Sequence, residues 1–260
     1  METLQVERVG GVVTITFDRP EKKNAINGTM WDELLATARE VGANRDDRCV
    51  VLTGAGGAFC SGADLSDDGG AGGGERVHQL AAMRRINSVV QAFHDLPQPT
   101  IAKVTGVAAG VGCSFALGCD LIVASEDARF SLIFARRGLS LDGASSWLLP
   151  RLVGLHKAKE LALFGDVISA TEARELGIVN RVLPATDVDK LVDEWSARLA
   201  AGPPIALAMT KRMLDRSLEQ SFEQALDDEA RSQTVNFGTR DTAEAIGAFI
   251  QKREPEFRGE

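Results

Sequence analysis

Between residues 101 and 150 the chain reads IAKVTGVAAGVGCSFALGCDLIVASEDARFSLIFARRGLSLDGASSWLLP, an apolar run so crowded with small side chains that few folds accommodate it. Residues 101–104 predict a short buried strand. Gly106, Gly110 and Gly112 then let the backbone turn tightly and approach a neighbour closely. A helix is expected from Val111 or Gly112, carrying Phe115, Ala116 and Leu117 into the core. The first amides of a helix lack internal partners and lie at the positive end of its dipole, so such an entry suits a developing oxyanion. A close helix–strand contact needs the same small residues, and this stretch alone does not choose between the two.

The rest of the chain alternates. Residues 4–8 and 12–17 flank Gly10-Gly11 as a hairpin that opens a sheet. EKKNAING, with Lys22, Lys23 and Asn24, makes a turn before a helix over 29–41, whose Met30, Leu34, Leu35 and Ala38 share a face. RCVVLT at 48–53 is a second buried strand and runs into GAGGAFCSGADL, the other small-residue loop. Composition predicts a flexible segment at 66–74, and apolar spacing a helix over 75–96.

Beyond the central stretch, helices are expected at 146–149 and 157–164, broken at Pro150-Arg151. Another lies in ISATEARELG, capped by Ser169 or Thr171 and stopped by Gly177. A last strand spans 179–183. Helices at 188–199, 204–218, 222–235 and 242–252 follow, the last entered through an Asp241-x-x-Glu244 capping box. Alternating strands and helices imply an α/β core over 1–197. The amphipathic tail, 198–260, has no second core and is expected to pack on a neighbour or another subunit.

A formal charge of −8 lacks the basic face that nucleic acid or an anionic membrane requires. No uncharged apolar run reaches about 18 residues, and the opening METLQVERVG reads as strand, so a cytoplasmic protein is expected. Cys49, Cys60, Cys113 and Cys119 have the spacing of neither a disulfide framework nor a zinc site; reduced packing residues and no metal are expected. The glycine loop after residue 53 ends without GK[ST], which excludes a phosphate-binding P-loop. GVGCSF keeps two glycines of a dinucleotide fingerprint but has Phe115 in place of the third.

RPEKKNAIN, VVLTGAGGAFCSGADL, VTGVAAGVGCSFALGCDLIVASEDARF, GLSLDGASSWLLPRLVG, ISATEARELGIVNRVLP and AIGAFIQKREPEF resemble, in order and spacing, the enoyl-CoA hydratase/isomerase (crotonase) superfamily across nearly the whole chain. The resemblance implies a crotonase-like spiral of repeated ββα units and C-terminal helices that build a homotrimer or dimer of trimers. It implies a coenzyme A thioester as substrate and no prosthetic group. It implies further that two backbone amides, here those of Ala63 and Val111, hold the thioester oxygen as it becomes an enolate. Coenzyme A would lie along Arg19, Lys22 and Lys23 with its adenine near Ala25, Asp64 and Leu65. Phe249 and Lys252 would approach from a partner subunit.

Departures from the family pattern bear on the reaction. Hydratases of the superfamily hold one water between two glutamates, and the matching positions here are Ser114 and Phe134. A phenyl ring carries no proton and a serine hydroxyl is a poor base at neutral pH, so two-glutamate hydration is disfavoured. What remains is Asp142. Its segment GLSLDGASSWLLP resembles that of the dienoyl-CoA isomerases and, through WLLPR, of ring-1,2-epoxyphenylacetyl-CoA isomerase, in which the matching aspartate moves the proton α or γ to the thioester. Asp142 also has the spacing of a helix N-cap. A cap would favour the carboxylate, whereas desolvation beside Trp147, Leu139 and an acyl chain would raise its pKa.

The expectation is therefore an acyl-CoA isomerase in which Ala63 and Val111 polarise the thioester carbonyl and Asp142 carries a proton from C2 to C4. The alternatives are a 2-enoyl-CoA hydratase of fatty-acid or aromatic-acid degradation and a non-catalytic acyl-CoA-binding homologue. His78, His94 and His156 receive no role, and Asp64, Asp120 and Asp127 read as caps of helices or strands.

Overall fold

Leu4–Val9 (β1) and Val12–Phe17 (β2) form an antiparallel hairpin, and Gly28–Ala43 (α1) returns the chain to Cys49–Gly54 (β3), parallel to β2. The computed structural model describes residues 1–66 and 78–260. Of the flexible segment expected at 66–74, residues 67–74 lie outside the described residues, as do 75–77 of the helix expected to follow. Gln79–His94 (α2), Thr100–Val104 (β4), Val107–Ala109 (β5) and Val111–Leu117 (α3) come next, then Leu121–Ser125 (β6) and Arg129–Ser131 (β7). After a 3-10 turn at Ile133–Arg137 follow Ser145–Val153 (α4), Leu155–Phe164 (α5), Ile168–Ser169 (β8), Ala170–Glu175 (α6) and Arg181–Leu183 (β9). Ala185–Ala200 (α7), Pro204–Arg216 (α8), Phe222–Phe237 (α9) and Arg240–Gln251 (α10) complete the order.

The larger sheet runs β1-β2-β3-β4-β6-β9, parallel from β2 onward, and the smaller one β5-β7-β8. Consecutive strands are shared between them: β4 and β6 enter the large sheet, while β5 and β7 enter the small one. Each pair is followed by helix, so the chain spirals in repeated ββα units as expected. Both faces of the large sheet are covered, which explains why its strands read as continuous apolar runs. In β3, Val50 and Leu52 join α1, α2 and α3 in the main core, while Cys49 and Val51 face Val188, Val192 and Ala200 of α7.

Local chemistry sets the helix limits. Asn27 caps α1 by accepting from Met30 N at 2.9 Å, and Met30, Leu34, Ala38 and Val41 are buried along one face. Ser169, not Thr171, caps α6 in a reciprocal box with Glu172. Two expectations are corrected. Pro150 does not break the chain but sits inside α4; the break falls at Gly154, which ends α4 and opens α5. Asp241 does not cap α10. Thr239 does, and Asp241 is buried instead, accepting from Arg258 N at 2.8 Å and Gly259 N at 2.9 Å to tie down the C-terminus.

Residue 197 lies within α7, which covers the sheet. The helices beyond it leave large apolar groups in solvent, among them Phe222, Phe237, Phe249 and Ile250. Among the described residues no helix is long and apolar enough to cross a membrane.

Candidate active site

The loop after β3 is zipped onto the β5–α3 turn. Cys60 N donates to Val107 O and Ala109 N to Cys60 O, both at 2.9 Å. Gly112 is required by this approach, because a Cβ there would lie 2.7 Å from the Cys60 Cβ. Three residues on from Cys60, Ala63 runs beside Ile26: Ile26 N donates to Gly62 O at 2.8 Å and Asp64 N to Ile26 O at 2.9 Å. That pairing leaves the Ala63 amide without a backbone acceptor among the described residues. Val111 opens α3, so its amide has no intrahelical acceptor either. Among the described residues, both amides expected to meet an oxyanion are thus free donors, on two segments held against one another.

Asp142 is brought against α3 by the turn before α4. Gly143 adopts φ +60, and a Cβ on it would lie 2.6 Å from the Ser114 Cβ and 3.1 Å from Val111 Cγ2. Only glycine lets this turn press against α3. The Asp142 carbonyl accepts from Ser114 Oγ at 3.1 Å and Ser145 Oγ at 2.7 Å. Its carboxylate behaves otherwise: Oδ1 is buried with no hydrogen-bond partner among the described residues. Burial alone pushes its pKa up to about 6. The N-cap reading fails, since Ala144 occupies that position and the Asp142 side chain caps nothing.

Asp142 opens onto a cavity of about 510 Å³ lined by Ser114, Phe115, Leu141 and Trp147 and by residues of α2. Trp147 is present as expected, but Leu139 is 53% exposed and does not line the cavity; Leu141 stands there instead. Phe134 is buried and does not line the cavity. Asp95 is another lining carboxylate, exposed at the end of α2.

Sequence reasoning missed the contribution of α2. Asn87, Gln91 and His94 line the cavity, His94 meeting the Trp147 ring edge-on with centroids 5.7 Å apart. Their spacing of four and three residues on one helical face, beside an apolar stripe, was the available signal. His78 caps α2 through Leu80 N, and His156 is exposed on α5.

The residues matched to coenzyme A gather about the Ile26–Ala63 pairing, and neither they nor Ala63 and Val111 line the cavity that Asp142 does. Arg19 pairs with Asp64 at 2.9 Å and donates to Ala25 O at 2.6 Å, bracketing the Ala63 strand instead of pointing free. Hydrogen bonds from Ser66 and this guanidinium hold the Asp64 carboxyl below its usual range. Lys22, Lys23 and Leu65 are exposed. Phe249 is 85% exposed, and Lys252 ends α10. Asp120 binds Thr100 N and Lys211, joining β4 to α8. All four cysteines are free thiols pushed up to about 12 by burial, which suits packing and not nucleophilic attack. Among the described residues no cluster of three or more His, Cys, Asp or Glu could hold a metal ion.

Comparison with known proteins bears on the whole chain. Residues 7–260 match the family model described as enoyl-CoA hydratase/isomerase. A Rhodobacter capsulatus protein named "Probable enoyl-CoA hydratase" is 37% identical over 99% of this chain and 98% of its own. The 1,2-epoxyphenylacetyl-CoA isomerase of Escherichia coli is 35% identical over 96% of this chain and 95% of its own. The crystal structure of an enoyl-CoA hydratase from Bacillus anthracis superposes with a TM-score of 0.93 at 30% identity, covering 99% of this chain and all of that one (100%).

Proposed function

The chain belongs to the enoyl-CoA hydratase/isomerase family, and from that premise we propose that it is an acyl-CoA isomerase with a single aspartate base. The observation that carries this reading is the Asp142 carboxylate: desolvated, unpartnered at Oδ1 among the described residues and raised to about 6, in the lining of an apolar cavity. A base near that pKa is ionised at neutral pH and still accepts a proton usefully.

In this mechanism the thioester carbonyl accepts from the Ala63 and Val111 amides. Asp142 removes a proton from C2 of a 3-enoyl-CoA, leaving a dienolate whose oxygen those amides stabilise. The protonated carboxyl then returns the proton at C4, shifting the double bond into conjugation, and ends as carboxylate. Losing one such donor typically costs about 2.7–4 kcal/mol of transition-state stabilisation. Coenzyme A would rest on the surface formed by Arg19, Lys22, Lys23, Ala25, Asp64 and Leu65, with Arg19 acting through its brace on Asp64. The exposed apolar groups of the C-terminal helices support a homotrimer or dimer of trimers.

Hydration of a 2-enoyl-CoA is the second reading, favoured by the hydratase name of a relative 37% identical. Ser114 and Phe134 argue against it, because neither supplies the second carboxylate that syn addition of water uses. Wild type and Asp142→Asn are assayed on 2-enoyl-, 3-enoyl- and arylacetyl-CoA thioesters, following products and α-proton exchange into heavy water. Double-bond migration and exchange that fall 10²–10⁴-fold in the variant support the isomerase. Rapid hydration of crotonyl-CoA, or undiminished exchange in Asp142→Asn, overturns it.

A further inference from the structure

Trp147 lines the cavity that holds Asp142, and its indole is held from several sides. Arg151, one turn further along α4, lies over the ring with Cζ 3.7 Å from the centroid. Its Nη1 donates to the Trp147 carbonyl at 3.0 Å and its Nη2 to Glu219 Oε1 at 3.1 Å. The same Glu219 oxygen accepts the indole Nε1–H at 2.9 Å. Glu219 comes from the connection between α8 and α9, 72 residues away in sequence. A group from the C-terminal helices therefore sets the angle of a ring that faces the substrate cavity.

Stability does not account for this arrangement. The Glu219 side chain is 53% exposed, and ion pairs so exposed add little to folding. The Arg151 Nε is buried with no hydrogen-bond partner among the described residues, a cost that sets against its contact with the ring. What the contacts do accomplish is removal of the indole's freedom: one face is covered, its N–H is fixed and the His94 ring packs against it at 73°.

We propose that Trp147 is the specificity-determining wall of the acyl cavity and that Glu219 and Arg151 are its positioning residues. The proposal rests on reading this cavity as the acyl site. An immobilised ring loses little entropy when a flat group packs on it, and aromatic pairs prefer defined offset or edge-on geometries. The fixed indole thus selects a flat, ring-bearing acyl group over a flexible chain.

The test uses two thioesters that need no turnover, phenylacetyl-CoA and hexanoyl-CoA, binding to the full-length protein followed by calorimetry. Trp147 emission is taken as the difference between each protein and its Trp147→Phe counterpart. Glu219→Ala should weaken phenylacetyl-CoA roughly five- to tenfold and hexanoyl-CoA less than about twofold. Trp147 emission should shift in the same variant. Glu219→Gln keeps an oxygen acceptor for the indole N–H and should restore most of the preference. Equal losses on both thioesters, or an unchanged ratio, overturn the proposal and leave the isomerase reading standing. Undiminished proton exchange in Asp142→Asn sinks the isomerase reading and leaves the binding ratio standing. Failure of wild type to bind either thioester overturns both.

Discussion

The Ser114 hydroxyl donates to the backbone carbonyl of Asp142 at 3.1 Å. The residue at a position matched to a hydratase glutamate thus holds the main chain of the proposed base and leaves its carboxylate alone. Ser145 donates to the same carbonyl at 2.7 Å, so the turn is doubly anchored. Ser114→Ala should therefore lower kcat only about three- to tenfold, the value of roughly one neutral hydrogen bond. Steady-state kinetics checks this, and a loss as deep as that of Asp142→Asn would mean that the hydroxyl itself handles the proton.

A base works as the carboxylate, and burial pushes Asp142 up to about 6. The kcat/KM for a 3-enoyl-CoA should accordingly rise with pH, bend near 6 and stay flat above it, since that ratio reports the free enzyme. A profile flat down to pH 4 would require a different proton acceptor.

The same shift makes a stability prediction. The folded pKa of about 6 exceeds the ordinary carboxylate value of 3.8, so between those limits the native state binds more protons than the unfolded chain. Stability then falls as pH rises from about 4 to about 6 and stays lower above that, by roughly 3 kcal/mol. Asp142→Asn has no charge to bury. It should match wild type at pH 4 in urea unfolding and exceed it at pH 8, and equal stabilities at pH 8 would mean that solvent reaches the carboxylate.

Gly143 combines φ +60 with a missing Cβ whose place lies 2.6 Å from Ser114 Cβ. Gly143→Ala should cost about 1–3 kcal/mol in unfolding and also displace Asp142 from α3. Activity should fall by about a hundredfold even in the fraction that remains folded. A folded, fully active alanine variant would mean that the turn is not what positions the carboxylate.

Much of the fold was legible because it is written in local periodicity. The hairpin β1–β2 follows from alternation around Gly10-Gly11, and α1 from Met30, Leu34 and Ala38 on one face. The helix boundaries misread were those where a side chain had a distant use. Asp241 is drawn to the amides of Arg258 and Gly259, so its cap-like spacing is spent on the C-terminus. Pro150 stays in α4, and the helix is stopped at Gly154, four residues further on.

The sequence by itself determined the two glycine-rich approaches, because close backbone contact demands small residues and their order is local, and it marked Asp142 as the candidate base. Only the tertiary structure decided that Asp142 leaves its Oδ1 unpartnered and that α2 supplies Asn87, Gln91 and His94 to the cavity. It decided likewise that Glu219 steadies Trp147. Desolvation and contacts between distant segments depend on what packs around a group, and that is a property of the assembled chain, not of any stretch within it.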